Sequence, residues 1–180
     1  DEGCVRPCES SWPYPCEISV AEAFNRTFDT GYSHMDYAGL QVLAGERGVP
    51  MVEVWDTTMV QDCQVLVFDT SGVSPLQLKV LTGGGAQLLQ LFDPGPWTPD
   101  SRGWRPDQGA QPLDLAQILE DAGFDAATPF SFAVGSTVLS AGNAYRLQGT
   151  EDEFLLAYND GGLQAGDRDA NEPILLCTAP

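Results

Sequence analysis

The chain has 180 residues, with 26 Asp plus Glu against 8 Lys plus Arg and a formal net charge of −18. Nucleic acid and anionic membrane surfaces are both held by clustered Lys and Arg, and here Lys79 is the single lysine, so neither partner is expected. With 43% hydrophobic and only 19% charged residues, the composition is that of a domain with a proper core rather than a disordered acidic tail, and the surplus carboxylates suit a divalent cation.

The N-terminal segment, residues 1–18, carries Cys4, Cys8 and Cys16 among Pro7, Pro13 and Pro15. Three thiols in a short Pro-rich stretch without helical or strand periodicity read as an arm stapled by disulfides, which points to export. Zinc is the weaker reading, because the C-x3-C and C-x7-C spacings lack a second matching pair and His34 is the only histidine. Cys63 and Cys177 lie far apart in apolar runs. Five cysteines leave at least one unpaired within the chain, and the connectivity stays open. The chain begins Asp1-Glu2 with no signal peptide, as in a mature or trimmed secreted protein or a cytosolic one. No apolar run is long enough to span a bilayer, which takes about 18 residues or more.

Residues 19–180 read as a single domain. Ser19 and Glu22 form a capping-box pattern, with Val20, Ala23, Phe24 and Thr27 or Phe28 at helical spacing, which predicts a helix from about Val20 to Phe28. Asn25-Arg26-Thr27 within it matches the N-glycosylation triplet, but its helical setting favours an unmodified Asn. From Leu40 the period changes to two. Met51–Trp55, Cys63–Phe68, Leu76–Leu81 and Leu88–Phe92 are short strand-like runs separated by Gly, Asp, Ser and Pro. Gly83-Gly84-Gly85 reads as a hairpin turn rather than a phosphate cradle, since no Lys-Ser or Lys-Thr follows.

Asp93 to Pro112 reads as a long loop with Trp97 and Trp104. A second helix follows, with Asp114 as N-cap, Leu115, Ile118, Leu119 and Ala122 on one face and Gly123 ending it. Further strands are expected at Phe130–Val134, Ala144–Gln148, Phe154–Tyr158 and Ile174–Thr178. The whole is mainly β: an antiparallel β-sandwich, jelly-roll-like, with two short helices.

The segment with the most chemistry runs from Ala157-Tyr158-Asn159-Asp160 through a Gly-rich turn to Asp167-Arg168-Asp169-Ala170-Asn171-Glu172, between two apolar strands. Asp167, Asp169 and Asn171 can aim alternate side chains at one point, with Glu172 and Asp160 adding oxygens. A hard cation such as Ca²⁺ takes six to eight oxygens from such a cluster. The alternative is a solvated loop held by local Asp and Asn turns. An EF-hand is excluded, because the fixed glycine and terminal glutamate are absent and the flanks are strands.

This ending resembles that of a bacterial extracellular family, domain of unknown function 4114, and the related LruC-type domains, over the last thirty residues. Their hallmark is a strand with Gly-aromatic-Glu-Asp, a Gly-rich turn, and Asp-x-Asp-Phe-Asn-Asp entering a final strand. The present chain departs at Asn159 for a Glu, Ala170 for the Phe and Glu172 for the last Asp. The resemblance implies a secreted or cell-surface, calcium-associated β-sandwich without a catalytic role; loss of the Phe anchor and of one charge would weaken metal binding.

His34 sits too close in sequence to Ser33 and Asp36 for a nucleophilic triad, and no Gly-x-Ser-x-Gly elbow occurs. The leading expectation is therefore a non-catalytic, secreted or surface Ca²⁺-binding module, facing an extracellular protein or glycan; the periplasm is also compatible. A small acidic hydrolase using paired carboxylates, with Glu53, Asp56 and Glu151 to Glu153 as candidates, and a structural coat or envelope component are the alternatives.

Overall fold

The computed structural model describes residues 18–33, 37–68, 74–93, 112–165 and 170–180. Cys4, Cys8 and Cys16, His34, both loop tryptophans, Asp167 and Asp169 lie outside the described residues. The described elements are α1 (Val20–Phe28), α2 (Tyr37–Arg47), β1 (Asp62–Val67), β2 (Leu76–Thr82), β3 (Gly85–Phe92), β4 (Leu113–Asp114), α3 (Leu115–Asp121), β5 (Phe130–Val134), β6 (Thr137–Val138), β7 (Ala144–Gln148), β8 (Glu153–Tyr158) and β9 (Ile174–Thr178).

Two antiparallel sheets face each other, a five-stranded one in the order β4-β1-β9-β8-β7 and a four-stranded one in the order β3-β2-β5-β6. Alternation decides which side chains meet. On the inner face of the larger sheet, Cys63 and Val65 of β1, Phe154, Leu156 and Tyr158 of β8, and Leu175 and Cys177 of β9 pack against Leu76, Leu78, Val80, Phe130 and Phe132 of the smaller sheet. Each such Leu or Phe, fully buried, contributes about 1.5–3 kcal/mol. The other face of the five-stranded sheet is not solvent-exposed. Leu147, Leu155, Ala157 and Ile174 form a second core with Val20, Ala23 and Phe24 of α1 and Leu40 and Leu43 of α2. The chain is thus a β-sandwich with helices laid over one side, and β8 reads as a continuous apolar run because both its faces are covered.

The cap at α1 is as the sequence suggests: Ser19 Oγ accepts from the Glu22 amide at 3.3 Å. At α3 the Asp114 carboxylate accepts from the Gln117 amide at 3.1 Å. The helix α2 is a third helix in addition to the two expected. It carries Gly39 and Gly45 in its interior and buries only Gly39, Leu40 and Leu43. Gly39 is required there, because a Cβ would run into the backbone carbonyl of Ser33.

The run Met51–Trp55, expected as a strand, is irregular. It leaves β7, where Val49 N–H donates to Arg146 O at 2.9 Å, and crosses to the other sheet, where Trp55 makes a single bridge to Phe130. Its role is to close one side of the sandwich with the Trp55 ring, stacked on Phe154 at 5.8 Å. The Arg146 guanidinium sits over both rings, 4.9 Å from the Trp55 centroid and 4.7 Å from that of Phe154. Burial holds the Arg146 pKa below its ordinary value. No helix among the described residues is long and apolar enough to cross a membrane.

Cys63 and Cys177 are directly opposite one another on β1 and β9. They form a disulfide with Cα atoms 4.1 Å apart, closing a span of 114 residues. Such a bond fits an oxidising compartment.

Candidate functional site

The loop between β8 and β9 sits at one end of the sandwich, and its base is built around Asn159. That residue is 2% exposed. Its Nδ2 donates to the carbonyls of Gly162 at 2.6 Å and Ala165 at 2.9 Å, and its Oδ1 accepts from the Ala170 amide at 3.2 Å. Both amide protons and the carbonyl oxygen are therefore used to hold the loop. A carboxylate at this position could accept but not donate. The Asn159 amide thus gives the loop two internal donors that a carboxylate would lack.

Gly161 and Gly162 adopt φ of 80° and 112°, which only glycine enters without strain. Ala170 adopts φ 51° and is fully buried in the helix-covered core. Asn171 is 0% exposed, and its Nδ2 donates to Ile18 O at 2.9 Å. This ties the loop to the start of α1. Asn171 is thus placed in the interior, with its Nδ2 committed to the start of α1.

Asp160 and Glu172 come together. The Asp160 amide donates to Glu172 Oε2 at 2.7 Å across 12 residues of chain, and the Glu172 amide donates to Tyr158 O at 3.0 Å. Both residues line a polar cavity of about 170 Å³ with Ser136, Thr137 and Tyr158. Asp160, Thr137 and Tyr158 also border an adjoining cavity of about 360 Å³ walled by Gly142, Asn143, Gly161 and Gly162. The far wall is shaped by Asn143, whose Oδ1 accepts from the Ser140 amide at 2.7 Å and whose Nδ2 donates to Val138 O at 3.0 Å.

Tyr158 is the floor of this cleft, 3% exposed. Its phenol is pushed above the ordinary tyrosine value, first by burial and then by the negative charge of Asp160 and of Glu172, against a lowering contribution from its hydrogen bond with Thr137. Burial disfavours a charge of either sign, so only the contribution from Asp160 and Glu172 is one that a cation would offset.

Among the described residues no group of three or more His, Cys, Asp or Glu is placed to share a metal ion. The described part of the cleft offers two carboxylates, the hydroxyls of Ser136, Thr137 and Tyr158, and nearby carbonyls. All of these are hard oxygen donors, the chemistry that Ca²⁺ and Mg²⁺ take and that soft metals do not. Ser136, Thr137 and Tyr158 are absent from the sequence-derived set. Tyr158 could have been found, since it continues the inner row Phe154-Leu156-Tyr158 out to the loop mouth.

The amide of Asn25 is engaged within the fold, donating to Tyr32 O at 2.8 Å while its Oδ1 accepts from Thr30 Oγ1 at 2.9 Å. Asp56 caps its own turn. Its carboxyl is held below the ordinary value by the hydroxyl and then the amide of Thr58.

No family model, no curated protein and no solved structure matches this chain.

Proposed function

We infer that this chain is an extracellular, non-catalytic β-sandwich binding module whose β8–β9 loop end takes a hard divalent cation, Ca²⁺ first among them. The observation that carries this reading is the convergence of Asp160 and Glu172, from the two ends of the loop, on one polar cavity floored by Tyr158. Asp160 and Glu172 would supply the charge, and Ser136 and Thr137 hydroxyls neutral oxygens. Asp167 and Asp169 remain candidate ligands on the strength of their spacing. The ion would supply charge neutralisation at the loop mouth, fixing its two ends against each other.

The other residues have separable tasks. Asn159 holds the loop from within, and Asn171 anchors it to the start of α1. The disulfide is in keeping with export, and the acid-rich surface keeps such a protein soluble outside the cell. A protein or glycan ligand remains the expected partner of the module.

Thermal unfolding with and without added Ca²⁺ or Mg²⁺ tests the reading. Binding to the folded state alone stabilises by about 2.7 kcal/mol when free ion is 100-fold above the dissociation constant. Asp160→Asn should reduce that gain, and Asp167→Ala with Asp169→Ala should abolish it. No change in wild type with either ion defeats the assignment.

A further inference from the structure

The strand β3 is the outermost of its sheet and pairs, among the described residues, with β2 alone. It is eight residues long, Gly-Ala-Gln-Leu-Leu-Gln-Leu-Phe, with no charge and no proline. Its first four residues are exposed, and Leu88 among them is 48% exposed, one of three large hydrophobic side chains left open to this degree among the described residues. Natural edges are usually blunted by Lys, Pro, bulges or inward charges, because a bare edge presents a row of free N–H and C=O groups to any other strand. In β3 the one bulge lies at its far end, opposite Leu76 and Gln77. The exposed half has no such protection.

We propose that β3 is a self-association edge, pairing antiparallel with β3 of a second copy to make one continuous sheet across the two molecules. The charge distribution selects the occupant. A chain of net charge −18 repels its copy over most of its surface, yet no Asp or Glu stands between Val80 and Phe92. A two-fold axis normal to the sheet at Leu88 sets Leu88 against itself and Ala86 against Gln90 on the outer face. On the inner face it sets Gln87 against Leu89. Every cross-strand neighbour is then uncharged, and Leu88 gains an apolar contact. The contact is a strand edge rather than a broad face, so it belongs to the weak, reversible class of interfaces.

Sedimentation velocity of the full chain over a dilution series, at low and high salt, tests this. The expected result is a concentration-dependent dimer that strengthens with salt, as screening weakens the general repulsion while strand pairing persists. Leu88→Lys and Leu88→Glu each place like charges opposite one another at the axis, and each should weaken the dimer about tenfold or more; within the monomer Leu88 faces Lys79 of β2, so Leu88→Lys should lower the monomer melting temperature slightly and Leu88→Glu should not. Hydrogen exchange at β3 amides should slow with concentration in wild type and not in the variants. A chain that stays monomeric throughout, a dimer that salt dissolves, or a dimer indifferent to both Leu88 substitutions would each overturn the proposal.

Discussion

The Asp160 amide and the Glu172 carboxylate close the mouth of the β8–β9 loop, joined by a 2.7 Å hydrogen bond. This bond makes Glu172 structural as well as a candidate ligand. Glu172→Ala should lower stability by about 1–2 kcal/mol, since it removes a charge-assisted acceptor at a partly exposed site. Glu172→Gln keeps an oxygen there and should cost less. Urea unfolding in metal-free buffer measures both.

Asn159 is the more sensitive position. Asn159→Asp keeps the shape but removes both donors, leaving the carbonyls of Gly162 and Ala165 facing a carboxylate. A loss of about 1–3 kcal/mol is expected, with faster hydrogen exchange or proteolysis confined to the 159–170 loop. An Asn159→Asp variant with wild-type stability and loop protection would show that the amide is not the loop's organising group.

Tyr158 gives a pH signature. Its phenol has a folded pKa above the ordinary value of about 10, so in the interval between the two the unfolded chain has lost a proton that the folded chain keeps. Stability from this group is complete below the ordinary value and is lost as pH rises through the folded value. Tyr158→Phe should therefore flatten the alkaline limb of the stability curve. If Ca²⁺ occupies the cleft, it should also bring the Tyr158 ionisation down, read as phenolate absorbance absent from the Phe variant.

The disulfide should matter to stability more than any single loop residue. Closing a loop of about 100 residues removes up to about 4.7 kcal/mol of unfolded-state entropy in the chain-entropy account, and the Cys63–Cys177 span is 114. Cys63→Ala with Cys177→Ala is expected to lower the unfolding free energy by about 2–5 kcal/mol, measured by denaturant titration. With reductant present, wild type and variant should unfold at the same denaturant concentration.

Local signals were readable and non-local ones were not. The helices α1 and α3 announce themselves through Ser19 and Asp114, whose caps involve residues three positions away. The helix α2 has no comparable mark. Its interior glycines break the apolar stripe, and the need for Gly39 comes from Ser33 packing, which no periodicity encodes. Met51–Trp55 reads like a strand because Met51, Val52 and Trp55 cover the sandwich edge, yet it pairs at one point only and leaves Val54 half exposed. The cysteine pairing depends on β1–β9 register, which brings positions 63 and 177 together. At the site, the acidic loop was legible as a loop, and Asp160 and Glu172 do share its mouth. Asn171 has the spacing of a ligand but the burial of a core anchor, because its amide meets Ile18, a residue 153 positions away. The Ser136 and Thr137 wall comes from the other sheet and could be assigned to the cleft only once the two sheets were stacked.

The central claim is that the β8–β9 loop end binds a hard cation, and isothermal titration of metal-free protein with Ca²⁺ tests it most directly. The account predicts a saturable isotherm near one ion per chain, weakened by Asp160→Asn and by Glu172→Gln and lost in the Asp167→Ala, Asp169→Ala variant. An isotherm with no heat beyond dilution for Ca²⁺ and Mg²⁺, supported by an unchanged melting temperature, would contradict it. So would binding that all of these substitutions leave untouched.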